Sequence, residues 1–95
     1  MVLTTSKKHQ IKEIAKFRCE WCNQDFREAA LHIHHINSNR DDDREANLIV
    51  LCPNCHALAE DEGYNNITPT RLRARVSNRS PRRKELIRDI LNPNR

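Results

Sequence analysis

Four cysteines fall in two pairs, Cys19-Glu20-Trp21-Cys22 and Cys52-Pro53-Asn54-Cys55. Two C-x-x-C turns separated by about 30 residues suit one tetrahedral zinc site of four thiolates. A single pair would also read as a redox motif; two pairs argue against that. Disulfides are not the default in a chain that is not exported. Histidines accompany the cysteines: His34 and His35 are adjacent, and His56 directly follows Cys55. Metal-assisted hydrolysis needs an activated water, charge neutralisation on the group attacked and help for the leaving group. A metal ion supplies the last two. A histidine, with an ordinary pKa of about 6.5, accepts the water's proton at neutral pH.

These residues need elements to position them. Thr4, Thr5 or Ser6 caps a helix running to about Lys16, with Ile11, Ile14 and Ala15 facing inward. The first cysteine pair reads as a zinc knuckle leading into a β-hairpin. Residues 31–36 alternate apolar and polar up to His35, which predicts a strand. A regular strand sends His34 and His35 to opposite faces, so a bend or bulge is expected and regular pairing should fail near His35. Residues 37–44 are polar and acidic, a loop. Leu48-Ile49-Val50-Leu51 is a short buried run feeding the second cysteine pair. A helix follows over about 55–60, with Gly63, the only glycine, as its C-terminal cap. Thr68-Pro69 and Ser80-Pro81 are cap-then-proline helix starts, with a break over 78–80.

The order C-x-x-C, then His-His-Ile, then Asn-Leu-Ile-Val-Leu-Cys-Pro-Asn-Cys-His beginning at Asn47 closely resembles the HNH endonuclease family. It is similar to the branch with a four-cysteine zinc site beside a ββα-metal core, and the resemblance covers about residues 17–62. The fold it implies is α+β: a small zinc-stapled ββα-metal domain with flanking helices. Residues 1–16 form a basic N-terminal helix, 17–62 the core and 63–95 a basic helical tail. The activity it implies is metal-dependent DNA endonuclease. His35 matches the general base that activates water. His34 and His56 match ligands of a catalytic divalent metal. Asn47 matches the middle letter of the motif, similar to residues that fix the loop carrying the base. Cys19, Cys22, Cys52 and Cys55 match the structural Zn²⁺ ligands.

The sequence departs from the family at Glu60, four residues after His56, where related sequences often carry another histidine. The two share a helix face, so Glu60 is either a third ligand or a solvated acidic helix end. A carboxylate ligand favours Mg²⁺ or Mn²⁺; Zn²⁺ also fits the two imidazoles. His32 shares a strand face with His34 and is an extra ligand, a substrate contact or a half-exposed strand histidine. His9 reads as a surface residue and Trp21 as a shield for the zinc. Asp41, Asp42 and Asp43 read as a solvated run.

Charge is partitioned along the 95 residues. Residues 1–22 carry five basic against two acidic side chains, 23–62 three against nine, and 63–95 nine against two, giving +3, −6 and +7. Basic arms bind polyanions through counterion release. The expected DNA clamp is Arg71, Arg73, Arg75, Arg79, Arg82, Arg83 and Lys84, on a tail removable without unfolding the core. Leu86, Ile87, Ile90 and Leu91 form an apolar stripe that either packs on the core or pairs two chains as a homodimer. With 37% hydrophobic residues and four aromatics, the core is small and a metal staple is expected. No run approaches the roughly 20 apolar residues of a membrane span, and no secretory signal is apparent; the expected location is cytoplasmic. The competing reading is a non-catalytic zinc-stabilised DNA-binding module, or a subunit of a larger nucleoprotein assembly. A cross-braced protein-interaction module needs eight ligands in two sites, which four cysteines and clustered histidines fit poorly.

Overall fold

A computed structural model describes residues 3–93. Helix α1 (Thr5–Ile14) starts at Thr4, whose hydroxyl accepts from the Lys7 amide at 3.2 Å. Strands β1 (His32–His35) and β2 (Leu48–Leu51) pair antiparallel, and α2 (Pro53–Ala59) follows β2 directly. This is the expected ββα order in an α+β chain. Helices α3 (Pro69–Ser77) and α4 (Pro81–Leu91) begin where the two threonine- or serine-proline pairs place them. In each, the cap hydroxyl accepts from the third helical amide, and the proline fills a position whose N–H has no helical partner.

All four β2 residues are buried. They form one core with Ile11, Ala15, Leu31 and Ile36 and with Ile67, Leu72, Val76, Ile87 and Leu91. The tail is therefore structural. Of the Leu86, Ile87, Ile90 and Leu91 stripe, Ile87 and Leu91 are buried within this chain, with α4 against α1, and Leu86 and Ile90 are half-buried. A tail removable without unfolding is overturned, because its loss would uncover the core.

Three local expectations are corrected. Pairing does not fail at His35: His35 opposes Leu48, and the Ile36 amide extends the ladder by donating to the Asn47 carbonyl at 2.9 Å. The chain bends later, at Ser38, with φ of 65°. The hairpin after the first cysteine pair shrinks to a single bridge between Arg18 and Asp25. Gly63 is not a left-handed cap. α2 ends at Glu60 with φ of −91°, and the Asp61 carboxylate accepts from the Gly63 amide at 2.9 Å. That side-chain turn arrests the chain without a positive φ.

Among the described residues no helix is long and apolar enough to cross a membrane.

Candidate active site and metal centres

The two cysteine pairs meet. One sulfur from each of Cys19, Cys22, Cys52 and Cys55 lies within 4.8 Å of the others, placing the four to hold a zinc ion. The first pair sits on a knuckle tied to β2. The Glu20 amide donates to the Val50 carbonyl at 2.8 Å, and the Val50 amide donates to Oε1 of Glu20 at 2.9 Å. The second pair opens α2. Cys52 is the N-cap, and its sulfur accepts from the Cys55 amide at 3.4 Å. Burial works against a thiolate at Cys19, yet the amides of Cys22, Cys52 and Trp21 outweigh it and lower its pKa. Cys55 is pushed well up, by burial first and then by the Cys52 and Cys19 sulfurs. A bound cation reverses that crowding, since a coordinating thiol is deprotonated outright.

Between β1 and α2 lies a second cluster. Buried His34, half-buried His56 and exposed Glu60 bring ligand atoms within 4.8 Å of one another. Oε1 of Glu60 stands 3.1 Å from Nε2 of His56 and 4.0 Å from Nδ1 of His34. Alternation along β1 brings His32 and His34 to the same side. The His32 ring stacks on His56 at 4.7 Å, and His34 meets His56 edge-on at 5.3 Å. Burial first, then the nearby His56, lowers the pKa of His34, and the same two causes in the same order lower that of His32. Both effects favour neutral rings, the form that ligates metal. His32 does not belong to the three-residue ligand cluster.

His35 faces a different neighbour. Its Nε2 lies 2.7 Å from Oδ1 of Asp43, and the Asp43 side chain is only 6% exposed. Expected to be solvated, Asp43 is instead a buried partner of the histidine. Asp42 is no free carboxylate either: it binds Nε of Arg44 at 2.8 Å and Nδ2 of Asn37 at 2.9 Å. The Arg44 guanidinium, with the Arg44 amide and Asn37, holds Asp42 far below the usual carboxylate range despite some burial. Asn47 anchors this loop. Its Oδ1 accepts from the Asn37 amide at 3.0 Å, while its Nδ2 donates to Oδ1 of Asn37 and to the Asp42 carbonyl, each at 2.9 Å. Asn47 thus fixes the residue next to Asp43. Three acids in succession look alike in sequence; what singles out Asp43 is a contact across eight residues that only the folded loop makes.

His34, His35, Asp43, His56 and Glu60 all line one cavity of about 580 Å³. Two adjacent β1 residues reach a common space without the expected bulge.

The arginines divide. Arg71, Arg73 and Arg82 are exposed, and Arg83 and Lys84 half-exposed. Arg75 lies over the Trp21 ring at 4.4 Å and donates to the Trp21 and Glu20 carbonyls. Trp21 therefore carries a cation on its face. Arg79 is a correction to the expected clamp: its side chain is 2% exposed. Its five N–H donors make five bonds, to both Glu20 oxygens, to the Glu45 carboxylate and carbonyl, and to the Leu48 carbonyl. It has no donor left for a phosphate.

No curated protein and no solved structure matches the chain. The family model described as HNH endonuclease matches residues 19–62, a span that starts at the first zinc-site cysteine and ends just past Glu60. The ββα order, the four converged cysteines and the paired histidines of this segment agree with that match to the HNH endonuclease family.

Proposed function

We propose that the protein is a metal-dependent endonuclease acting on DNA. The observation that carries this reading is the pairing of His35 with Asp43 at the rim of the cavity that also holds His34, His56 and Glu60. A structural or purely binding role gives no reason to aim a carboxylate-held imidazole at a second cluster of ligand atoms.

The Asp43 carboxylate accepts from Nε2 of His35, so the ring proton resides there and the Nδ1 lone pair is left bare. Nδ1 is then the general base that takes a proton from water. As the imidazolium forms, Asp43 stabilises its charge without becoming protonated. Asn47 keeps the loop bearing Asp43 in register with His35. His34, His56 and Glu60 fit a divalent ion: two imidazoles and one carboxylate suit Mg²⁺, Mn²⁺ or Zn²⁺. That ion, when bound, supplies Lewis-acid stabilisation of the phosphate and leaving oxygen. The exposed arginines of α3 and α4 draw the DNA backbone towards the domain.

The test is cleavage of supercoiled plasmid by purified protein, with and without added Mg²⁺ or Mn²⁺, beside His35→Ala. Metal-dependent cleavage that His35→Ala abolishes is expected. Binding without cleavage under every metal would return the protein to the class of zinc-stabilised DNA-binding modules.

A further inference from the structure

A second cavity, of about 240 Å³, lies beside the zinc knuckle and shares no lining residue with the histidine cavity. Its lining draws on three separate stretches of chain. Lys16 and Arg18 come from the segment after α1, Arg75 from α3 and Arg83 from α4. With Arg79 the lining holds five cations against one carboxylate, Glu20, and Glu20 is already bonded to Arg79. The rest is mostly amide, from Asn23 and Asn78.

The four outer cations are poorly neutralised. Neither Lys16 nor Arg83 has a carboxylate within 4.0 Å among the described residues. Arg18 pairs with Asp25, but both side chains are more than half exposed, so that pair contributes little and is readily exchanged. Arg75 is held rigidly by Trp21 and two carbonyls through Nη1 alone, which leaves Nε and Nη2 without partners among the described residues. Folding has gathered like charges from positions up to 67 residues apart into one concavity (Lys16 to Arg83). Without an anion that arrangement is repulsive. The cavity is smaller than the roughly 300–1,000 Å³ of a pocket for a drug-sized ligand, and Ala15 and Cys19 are its only apolar lining residues. A phosphate group fits within it and matches its charge and donors.

We propose that this cavity is a cradle for a phosphodiester of the nucleic-acid backbone, remote from the phosphodiester that is cleaved. The identity of the ligand rests on the nuclease reading above; the site itself rests on the gathered cations. The molecule measures 40 Å in its longest dimension, close to the roughly 34–36 Å of one duplex turn. A single duplex therefore has the length to engage both cavities. Two points of attachment would fix the orientation of a domain whose histidine cavity is edged by Asp41, Asp43 and Glu60.

The test is binding of a labelled duplex at several salt concentrations, with no added divalent ion. Three proteins are compared: wild type, Lys16→Gln/Arg83→Gln, and a charge-matched control, Lys7→Gln/Arg27→Gln, whose positions line neither cavity. Loss of two phosphate contacts should flatten the slope of log K against log salt by about 1.8 units in the cradle variant. The control should leave the slope near wild type. Each single variant, Lys16→Gln and Arg83→Gln, should take about half of the effect, which keeps the test decisive if the double variant does not fold. Equal flattening in cradle and control variants, no flattening in either, or no duplex binding by wild type would overturn the proposal. Failure of plasmid cleavage in every metal would remove the nuclease reading instead, and would leave the salt slopes to decide the cradle on their own.

Discussion

In the proposed mechanism the His35–Asp43 contact is what separates a base from a mere histidine. His35→Ala should abolish plasmid cleavage while fold and duplex affinity stay near wild type. Asp43→Asn keeps the size of the side chain but removes the charge that stabilises the imidazolium. Its kcat should fall by roughly 10²–10⁴-fold, the usual contribution of positioned acid–base groups, with KM for plasmid little changed. A KM rise with kcat intact would make Asp43 a binding residue. His34 carries a pH signature. Burial and His56 lower its pKa in the folded state, so across the window from the unfolded value of about 6.5 down to the folded value, the unfolded chain binds more protons. Stability then falls as pH falls through that window. Thermal melts without added divalent ion should show a loss between pH 7 and 5 that is smaller in His34→Gln. Parallel profiles for the two proteins would contradict the shift.

At the scale of elements, the zinc knuckle and the start of α2 are clamped by the same four sulfurs. Apparent binding energies of about 10–16 kcal/mol for structural zinc exceed what so small a core supplies. Cys52→Ser should therefore unfold or aggregate the protein, and a strong chelator should do the same to wild type. An apo protein melting cooperatively near the holo temperature would show the staple to be dispensable. Much of this level was legible in the sequence. The two proline-capped helix starts rest on local chemistry, and the apolar run Leu48–Leu51 has nowhere to go but inside. Local reasoning failed where the answer was tertiary. Strand alternation implied a bulge at His35, but the cavity is wide enough to receive neighbouring side chains from a regular strand. Gly63 looked like a cap until Asp61 took over the turn. Asp43 was indistinguishable from Asp41 because its partner lies across the Asn47-anchored loop.

For the whole molecule, Arg79 is the joint. It ties α3's end to the zinc knuckle through Glu20, to the turn before β2 through Glu45, and to β2 itself through Leu48. Through Glu45 it also offsets part of the acidic centre over 23–62; Lys12 lies 3.5 Å from Glu28 and does the same there. Arg79→Met leaves Glu20 with the Val50 amide alone and Glu45 with Arg88 alone, 3.5 Å away. Breaking such a pair costs about 3–5 kcal/mol, a large share of the 5–15 kcal/mol or so that holds a domain together. Chemical denaturation should show that loss, with Arg71→Met, an exposed position on α3, within about 0.5 kcal/mol of wild type. Similar losses in both variants would deny Arg79 its role as the joint.

That joint also sets an order of events during synthesis. All four zinc ligands exist once residue 55 has been made, yet Glu20 and Glu45 wait for Arg79, and Ile11 waits for the side of the core that Ile87 and Leu91 complete. At about 5–20 residues per second, the 36 residues from His56 to Leu91 take roughly 2–7 s to emerge. For that interval the nascent chain holds a complete set of metal ligands but an open core with two unanswered carboxylates. Metal capture before closure is thus open to the nascent chain, and in a cell short of zinc the first expected defect is one of folding.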